Sequence, residues 1–162
     1  MQEKLHLAQK NERVLLDVNS MAIFFVEDHP GNEYVSEEIE KGFTEDRDSM
    51  IMDYLPFRVY WIHTTKWDVE SNDSIEAIKS FMEARVEVVG INRGNLLKTF
   101  KIAEEKDRDV YDCFYVSLAR QIDATHILTT DKDFDALCEG EGFEYLNPVP
   151  SEVIRKFHVF NK

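Results

Sequence analysis

Three aspartates stand where carboxylates from distant parts of the chain can converge. Asp17 directly follows the apolar run 14–16, Asp112 heads an apolar helical pattern, and Asp131 lies just past the run 125–129. In α/β sheets, ligands bind outside the carboxyl ends of the strands. Converging carboxylates repel one another, and a hard cation with oxygen ligands, such as Mg²⁺ or Mn²⁺, relieves that repulsion. Because such ions activate water and stabilise a leaving oxygen, these acids predict phosphodiester hydrolysis.

Two strands and one helix must position these acids. The strands are expected at 14–18 and 125–129, because both runs are short and rich in buried-type residues. Tyr115, Val116 and Ala119 fall at the third, fourth and seventh places after Asp112. This spacing places Asp112 on the apolar face of a helix, where its carboxylate points toward the core side and not into bulk water.

The rest of the chain alternates strands and helices, which predicts an α/β fold with a mostly parallel central sheet of about five strands and helices on both faces. Further strands are expected at 49–52, 86–89 and 143–146, and helices at 21–26, 32–43, from 56 through 63, after a cap at 71–73, at 94–106, through 134–137 and at 151–157. In the helix at 94–106, the residues expected to face the core are Leu96, Leu97, Phe100 and Ala103.

Length and composition favour one domain spanning residues 1–162. The chain contains 43% hydrophobic residues, including eleven Phe, which is enough for a sizeable core. No apolar run approaches the ~20 residues of a membrane span, and the first residues do not form a secretory signal. The two cysteines lack metal-ligand spacing, which favours a cytoplasmic protein. Residues 1–13 are polar and are expected to form a short helix or a loose leader.

The charge balance sets a condition on any nucleic-acid substrate. Thirty-two acidic and nineteen basic residues give a net charge of −13, which repels a polyanion over most of the surface. Most of these acids are expected to be a solubilising coat. A divalent cation held by the few acids at element ends would reverse the sign of the potential locally.

Each acid also has a purely structural interpretation. Asp17 can close an Asx turn after its strand, and Asp131 or Asp133 can cap the next helix. Asp112 can favour the positive end of its own helix. The placement of these acids together on one edge of the sheet is what favours a site.

Three segments hold these acids in extended motifs. They are Leu15-Leu-Asp-Val-Asn-Ser20, Asp109-x-x-Asp-Cys-x-Tyr-Val-x-Leu-Ala119 and Leu128-Thr-Thr-Asp-Lys-Asp-Phe134. In this order and at these separations, they resemble the PIN-domain family, especially the VapC-like toxin ribonucleases. The resemblance spans nearly the whole chain.

This resemblance implies a PIN-like three-layer α/β/α sandwich and a metal-dependent endoribonuclease that cleaves RNA. Asp17, Asp112 and Asp131 would be the catalytic acids that hold Mg²⁺ or Mn²⁺, and Asp133 or Asp135 would extend the ligand set. The polar residues Asn19 and Thr129 would form hydrogen bonds around the metal. A toxin–antitoxin pair, with a small antitoxin as partner, and a homodimer are also implied.

One position departs from the family pattern. The family usually carries a Glu early in the helix after the second strand, and Arg58 stands near that place. A guanidinium there would compete with a cation, or would pair with Asp17 and hold the site together without metal. Asp53, just ahead of the helix, is the acid that could substitute for the missing Glu.

Two other functions stay open at this stage. The first is a non-catalytic relative that binds RNA or a protein partner, with Arg58 in the site. The second is a phosphoacceptor of the response-regulator type, which also gathers acids at strand ends. That class has two adjacent acids at the first strand, and the pair Asp17-Val18 does not supply them.

Several other side chains favour structural roles. His63 is expected to pack within its helix, and Cys113 is expected to be a small core residue. Tyr60, Trp61 and Trp67 either fill the core or cover a dimer face.

Overall fold

A parallel five-stranded sheet forms the centre of the computed structural model, which describes residues 11–44 and 46–161. Its strands are β1 (Glu12–Leu16), β2 (Arg47–Met52), β3 (Glu87–Val89), β4 (His126–Leu128) and β5 (Glu144–Leu146). Their order across the sheet is β3-β2-β1-β4-β5, and all neighbours are parallel. The predicted α/β class is confirmed. The leader predicted at 1–13 lies largely outside the described residues, and Glu12 and Arg13 already belong to β1.

Helices connect the strands and follow the last one. They are α1 (Val18–Phe24), α2 (Asn32–Glu40) with a 3₁₀ turn at Lys41–Phe43, α3 (Leu55–Lys66), α4 (Ser71–Glu83), α5 (Arg93–Lys106), α6 (Val110–Gln121), α7 (Asp133–Cys138), α8 (Ser151–Ile154) and α9 (Phe157–Phe160). Of the helices within the described ranges, none has the length and apolarity needed to cross a membrane.

The order of the strands reverses at the boundary between β1 and β4, which are neighbours in the sheet but not in the chain. Strands β1 to β3 run outward on one side of the centre, and β4 and β5 run outward on the other. Right-handed crossovers therefore place α1–α4 on one face and α5–α7 on the other, which makes the predicted three layers. The carboxyl ends of β1 and β4 lie at the switch point, where α/β sheets bind ligands.

The central strand is covered on both faces. Val14, Leu15 and Leu16 are consecutive and all fully buried, so side chains pointing to either side of β1 meet helices. Leu15 pairs in register with Met50 of β2 and with Ile127 of β4. This continuous packing fixes the position of the residue that follows β1.

The end of β1 differs from the prediction. The strand stops at Leu16, and α1 begins at Val18, three residues earlier than expected. The cause is Asp17, whose carboxylate accepts a hydrogen bond from the backbone amide of Ser20 at 2.7 Å and caps α1. Asp17 therefore lies at the strand–helix junction, directly after the buried strand.

The predicted inner face of α5 is wrong. Leu96, Leu97 and Phe100 are exposed, and Ala103 is only partly buried. The buried side chains are Asn95, Thr99 and Ile102. The Asn95 amide donates to the side chain of Gln121 in α6, and the Thr99 hydroxyl donates to the Asn95 carbonyl oxygen at 2.7 Å. Because Asn95 and Thr99 form hydrogen bonds within the protein, they can be buried. The apolar pattern of α5 therefore predicted the wrong buried face.

The helix predicted at 151–157 is two short helices, α8 and α9. The chain turns at 155–156, and Phe157 and Phe160 pack their rings against His29, with ring centroids 4.6 and 4.7 Å away. Trp67 contacts the same imidazole at 4.8 Å. Burial in this aromatic surrounding lowers the pKa of His29 to about 4.

A second buried histidine joins three helices, which confirms the predicted packing role of His63. Its Nδ1 lies 2.8 Å from the Ser74 hydroxyl of α4, and its Nε2 lies 3.0 Å from the Ala22 carbonyl oxygen of α1. Burial lowers its pKa as well. Trp67 packs 5.8 Å from the ring of His63 and so belongs to this interior. Trp61, by contrast, is exposed.

An arginine neutralises acids near the amino end of β2. Arg47 is buried, and its guanidinium donates to Glu12 at 2.8 Å and to Glu38 at 2.9 Å. Partial burial opposes ionisation of Glu38, but hydrogen bonds from Lys41 and Arg47 outweigh it and lower the pKa of this carboxyl. Glu12 and Glu38 are thus both paired with Arg47.

We expect His29 to make the free energy of unfolding depend on pH. Its folded pKa of about 4 lies below the unfolded value of 6.5. Its stabilising contribution is therefore full above pH 6.5 and is lost toward pH 4, at up to about 1.4 kcal/mol per pH unit. The variant His29→Gln should lose less stability than the wild type between pH 7 and pH 5 in urea unfolding. His158→Gln, at an exposed histidine, should match the wild type, and equal losses in all three proteins would contradict the prediction.

Candidate active site

The predicted acids lie at the carboxyl edge of the sheet, at the switch point between β1 and β4. Asp17 follows β1 directly, and its backbone amide donates to the Leu128 carbonyl oxygen at the end of β4 at 3.1 Å. Asp131 comes three residues after β4. Asp112 reaches the same place from the first turn of α6. Together with Asn19, these three acids line one cavity of about 200 Å³.

Asp17 is the most enclosed of these acids, with an exposed fraction of 2%. One carboxylate oxygen accepts the Ser20 amide, and the other accepts the hydroxyl of Thr129. The Ser20 hydroxyl in turn donates to the Leu128 carbonyl oxygen at 2.9 Å. The carboxylate is therefore held in one orientation by a backbone amide of α1 and by the hydroxyl that follows β4.

Thr129 connects the two strand ends directly. It is fully buried, and its hydroxyl donates to Asp17 while its oxygen accepts the backbone amide of Asp131 at 3.0 Å. The predicted polar role of Thr129 thus has a definite geometry. Because one hydroxyl serves both acids, any shift of β4 relative to β1 would disturb both.

Asp112 is positioned by the capping of α6. The N-cap is Asp109, whose carboxylate accepts the backbone amides of Tyr111 at 2.8 Å and of Asp112 at 3.4 Å. Asp112 itself lies in the first turn, where the helix dipole favours negative charge. With the cap provided by Asp109, the side chain of Asp112 is available to the cavity.

Three carboxylates form a compact group, and two of them, Asp112 and Asp131, line this cavity. Oxygens of Asp112, Asp131 and Asp133 all lie within 4.8 Å of one another. Asp131 is fixed by accepting the backbone amide of Asp133 at 2.9 Å. Asp17 lines the same cavity outside this group.

The electrostatics of the site are dominated by burial and like charge. Burial is the main cause that raises the pKa of Asp17 to about 6, against the hydrogen bonds from Thr129 and Ser20 that lower it. Burial also raises the pKa of Asp112 to about 6, and the charges of neighbouring aspartates, with Asp131 first, add to it. Such mutual repulsion is what a bound cation relieves.

This donor set fits a hard divalent cation. Its members are carboxylates from two different elements, within reach of one ion, and no nitrogen or sulfur donor belongs to the group among the described residues. Mg²⁺ and Mn²⁺ take such oxygen ligands and keep several waters, for which the cavity has room. The residues present are therefore suited to hold one of these ions.

Comparison with sequence families decides the relationship. The sequence pattern of the PIN domain family matches residues 14–140, which include Asp17, Asp112, Asp131 and Asp133. The chain belongs to the PIN domain family. A search among curated protein sequences finds no match.

Solved structures of toxins share the fold of this PIN domain. VapC20 of Mycobacterium tuberculosis, described as a sarcin-ricin loop cleaving toxin, matches with a TM-score of 0.63 at 9% identity, over 76% of this chain and 94% of that one. VapBC2 of Rickettsia felis, bound to a promoter DNA fragment, gives 0.62 at 13% identity over 83% and 98%. A toxin–antitoxin complex from Klebsiella pneumoniae gives 0.62 at 13% identity over 84% and 98%.

Two predicted site residues of this PIN domain, Asp53 and Asp135, belong neither to the cavity lining nor to the carboxylate group beside it. Asp53 is exposed, and its carboxylate accepts the backbone amide of Ile91 at 3.3 Å, between the ends of β2 and β3. Asp135 is exposed on α7 and faces a different depression beside Tyr145. In this geometry, neither carboxylate belongs to the group formed by Asp112, Asp131 and Asp133.

Arg58 lines the cavity of the PIN domain but does not neutralise its acids. No ion pair between Arg58 and Asp17 occurs in the described part of the chain, and both oxygens of Asp17 are already engaged by Ser20 and Thr129. The guanidinium lies instead over the ring of Tyr111, with Cζ 5.9 Å from the ring centroid. The predicted alternative of an arginine–Asp17 pair is therefore not realised.

Sequence reasoning missed the tyrosines of this PIN domain site. Tyr54 and Tyr111 line the cavity, and Tyr115 extends its hydroxyl to the Val18 amide at 3.2 Å. Burial and the nearby charge of Asp17 raise the pKa of Tyr115. The sequence signal for Tyr111 was its place directly before Asp112, whereas nothing in the sequence distinguished Tyr54.

In metal-free buffer, the variant Asp112→Asn should be more stable than the wild type. The folded state disfavours the ionised carboxyl, since the pKa of Asp112 is raised to about 6 from 3.8. Its removal at pH 8 should raise the free energy of unfolding by about 1 kcal/mol, and the gain should vanish below pH 4. Urea unfolding in EDTA measures both values.

The matched control is Asp109→Ala, which removes a helix cap near the same acids. It should lower the free energy of unfolding by about 1 kcal/mol. Destabilisation by Asp112→Asn at pH 8 would show that its charge is not repelled in the folded protein.

Proposed function

We propose that this PIN domain is a metal-dependent endoribonuclease that hydrolyses RNA phosphodiester bonds. The observation that carries the proposal is the convergence of Asp17, Asp112 and Asp131 on one cavity at the switch point of the sheet. Membership of the PIN domain family supports it. The raised pKa values of Asp17 and Asp112 also support it, because strongly perturbed carboxyl groups in a cavity are typical of functional sites.

In this proposal, Asp112, Asp131 and Asp133 would hold Mg²⁺ or Mn²⁺ through their grouped oxygens. The bound cation would supply positive charge for the phosphate and acidify a water molecule. Asp131 is held for this task by its contacts to Asp133 and Thr129. Asp112 is placed at the cavity by the capped first turn of α6.

Asp17 is suited to accept a proton within the same cavity. Its pKa of about 6 lies close to neutral pH, where a carboxylate is ionised yet basic enough to take a proton from attacking water. Ser20 and Thr129 fix its orientation by donating to both oxygens. Each carboxylate oxygen has a further lone pair that can face the cavity.

The cellular setting that we propose is that of a cytoplasmic toxin. The fold neighbours include a toxin described as cleaving the sarcin-ricin loop and two toxin–antitoxin assemblies. By analogy, this chain would have a small antitoxin as its partner and would form a homodimer. Co-expression with the product of an adjacent gene and sedimentation of the purified chain would test these two points.

A second candidate function is metal-independent binding of RNA or a protein partner. The observation that favours it is Arg58, a fixed positive charge in the wall of the cavity. A guanidinium there would weaken cation binding without neutralising Asp17. Metal titration separates the two candidates, because only the nuclease requires the ion.

Mn²⁺ should support cleavage of single-stranded RNA by the wild type, and Asp112→Asn should lower the rate at least ~100-fold because a ligand of the ion is lost. Glu76→Gln, which removes an exposed acid of α4, should cleave like the wild type. Mn²⁺ should also raise the melting temperature of the wild type more than that of Asp112→Asn. Full activity of Asp112→Asn, with a native circular dichroism spectrum, would refute the proposal.

Removing the charge of Arg58 should strengthen metal binding. The variant Arg58→Gln should bind Mn²⁺ roughly threefold to tenfold more tightly, since a cation that lines the cavity repels the ion through a partly aqueous medium. Isothermal titration at constant ionic strength measures the dissociation constants. Arg155→Gln, at an exposed arginine of the closing segment, is the control and should leave the affinity unchanged.

A further inference from the structure

Three exposed aromatic side chains stand beside the acidic cavity. Tyr54, Phe57 and Tyr111 have exposed fractions of 55%, 66% and 73%. We name these three residues the aromatic rim. Single exposed apolar residues are ordinary, but three large rings around one functional cavity form a patch of the kind that marks binding sites.

The rim is built from two helix starts. The rings of Tyr54 and Phe57, at the beginning of α3, lie 5.6 Å apart with a tilt of 53°. Across the cavity, Tyr111 in the first turn of α6 lies under the guanidinium of Arg58. Arg58 belongs to α3, so the contact joins the two helices and supports the Tyr111 ring from one side.

Two of the three rim residues share the cavity with the acids, and Phe57 adjoins them through its ring contact with Tyr54. Tyr54, Arg58 and Tyr111 line the same cavity as Asp112 and Asp131. Tyr111 directly precedes Asp112 in the chain, so the ring lies one residue from a proposed metal ligand. A group that stacks on the rim would therefore lie next to a phosphate bound at the acids.

The charge of the protein argues for this kind of contact. A net charge of −13 repels a polyanion over most of the surface, and Arg58 is the basic residue that lines this cavity. Stacking of a base on an aromatic ring needs no net charge and tolerates any base, because each base has a π-face. Arginine adds to it through its planar guanidinium.

We propose that the aromatic rim, with Arg58, binds an unpaired nucleobase of single-stranded RNA next to the phosphate to be cleaved. This subsite rests on the proposed ribonuclease function and specifies the form of its substrate. Bases in a duplex hide their faces in the stack, so the rim selects unpaired segments, with little preference among bases.

The test measures binding of a short fluorescent single-stranded RNA by anisotropy, with Mg²⁺, in an Asp112→Asn background that leaves the RNA uncut. Adding Tyr111→Ala should weaken binding roughly tenfold, and Phe57→Ala should weaken it in the same direction. Tyr111→Phe keeps the ring and should bind within about twofold of the background protein. Phe100→Ala removes an equally exposed ring of α5 away from the cavity and should have no effect.

Two further comparisons locate the stacked base. The same strand annealed into a duplex should bind more weakly than the single strand. In a set of RNAs that each lack one base, the RNA that lacks the base at the rim should bind more weakly than the intact strand. In Tyr111→Ala, these two RNAs should bind equally.

Two outcomes would overturn the subsite. Unchanged affinity in both Tyr111→Ala and Phe57→Ala would exclude stacking on the rim. A shift from dimer to monomer in sedimentation of these variants, without loss of RNA affinity per chain, would assign the rim to contact between copies. The subsite and the nuclease activity can fail separately. If the wild type does not cleave RNA, the nuclease proposal fails, and the binding measurements still test the subsite.

Discussion

A single buried hydroxyl holds the two halves of this site together. Thr129 donates to the carboxylate of Asp17 and accepts the amide of Asp131, so two acids 114 positions apart share one partner. The parallel pairing of β1 with β4 makes this possible, because it places the two strand ends side by side. A carboxylate as enclosed as Asp17 is tolerated only when its oxygens receive hydrogen bonds. Asp133 is joined to this junction by its amide, which donates to Asp131, and Asp112 reaches the same cavity from α6.

Acidic side chains have different charged neighbours at the two ends of the strands. Near the amino end of β2, Arg47 forms ion pairs with Glu12 and Glu38, and hydrogen bonds from Lys41 and Arg47 lower the pKa of Glu38. At the carboxyl edge, Asp17 and Asp112 face one another's charge, and Arg58 is turned toward Tyr111. Buried like charges without a neutralising partner are unfavourable for folding, and they are typical of functional sites. The contrast between the two regions supports a functional reading of the acids at the carboxyl edge.

Much of the fold could be predicted from the sequence because its central strands are short apolar runs that end in acids. The runs at 14–16 and 125–129 therefore located the edge of the sheet and the acids that line it. Strand ends were less certain, since the side-chain cap made by Asp17 shortened β1 and started α1 early. The inner face of α5 was not predictable from hydrophobicity, because Asn95 is buried by a hydrogen bond to a residue of another helix. The direction of Arg58 likewise depends on Tyr111, a partner distant in sequence.

The outward-facing side of α5 carries Leu96, Leu97 and Phe100 on a molecule whose other surface is strongly acidic. At low ionic strength, mutual repulsion of the −13 charges keeps these apolar side chains of separate molecules apart. Added salt shortens the range of that repulsion to about 10 Å at 0.1 M, and leaves the attraction between apolar surfaces in place. We therefore expect contact between separate molecules through this face of α5 to become more favourable as the salt concentration rises.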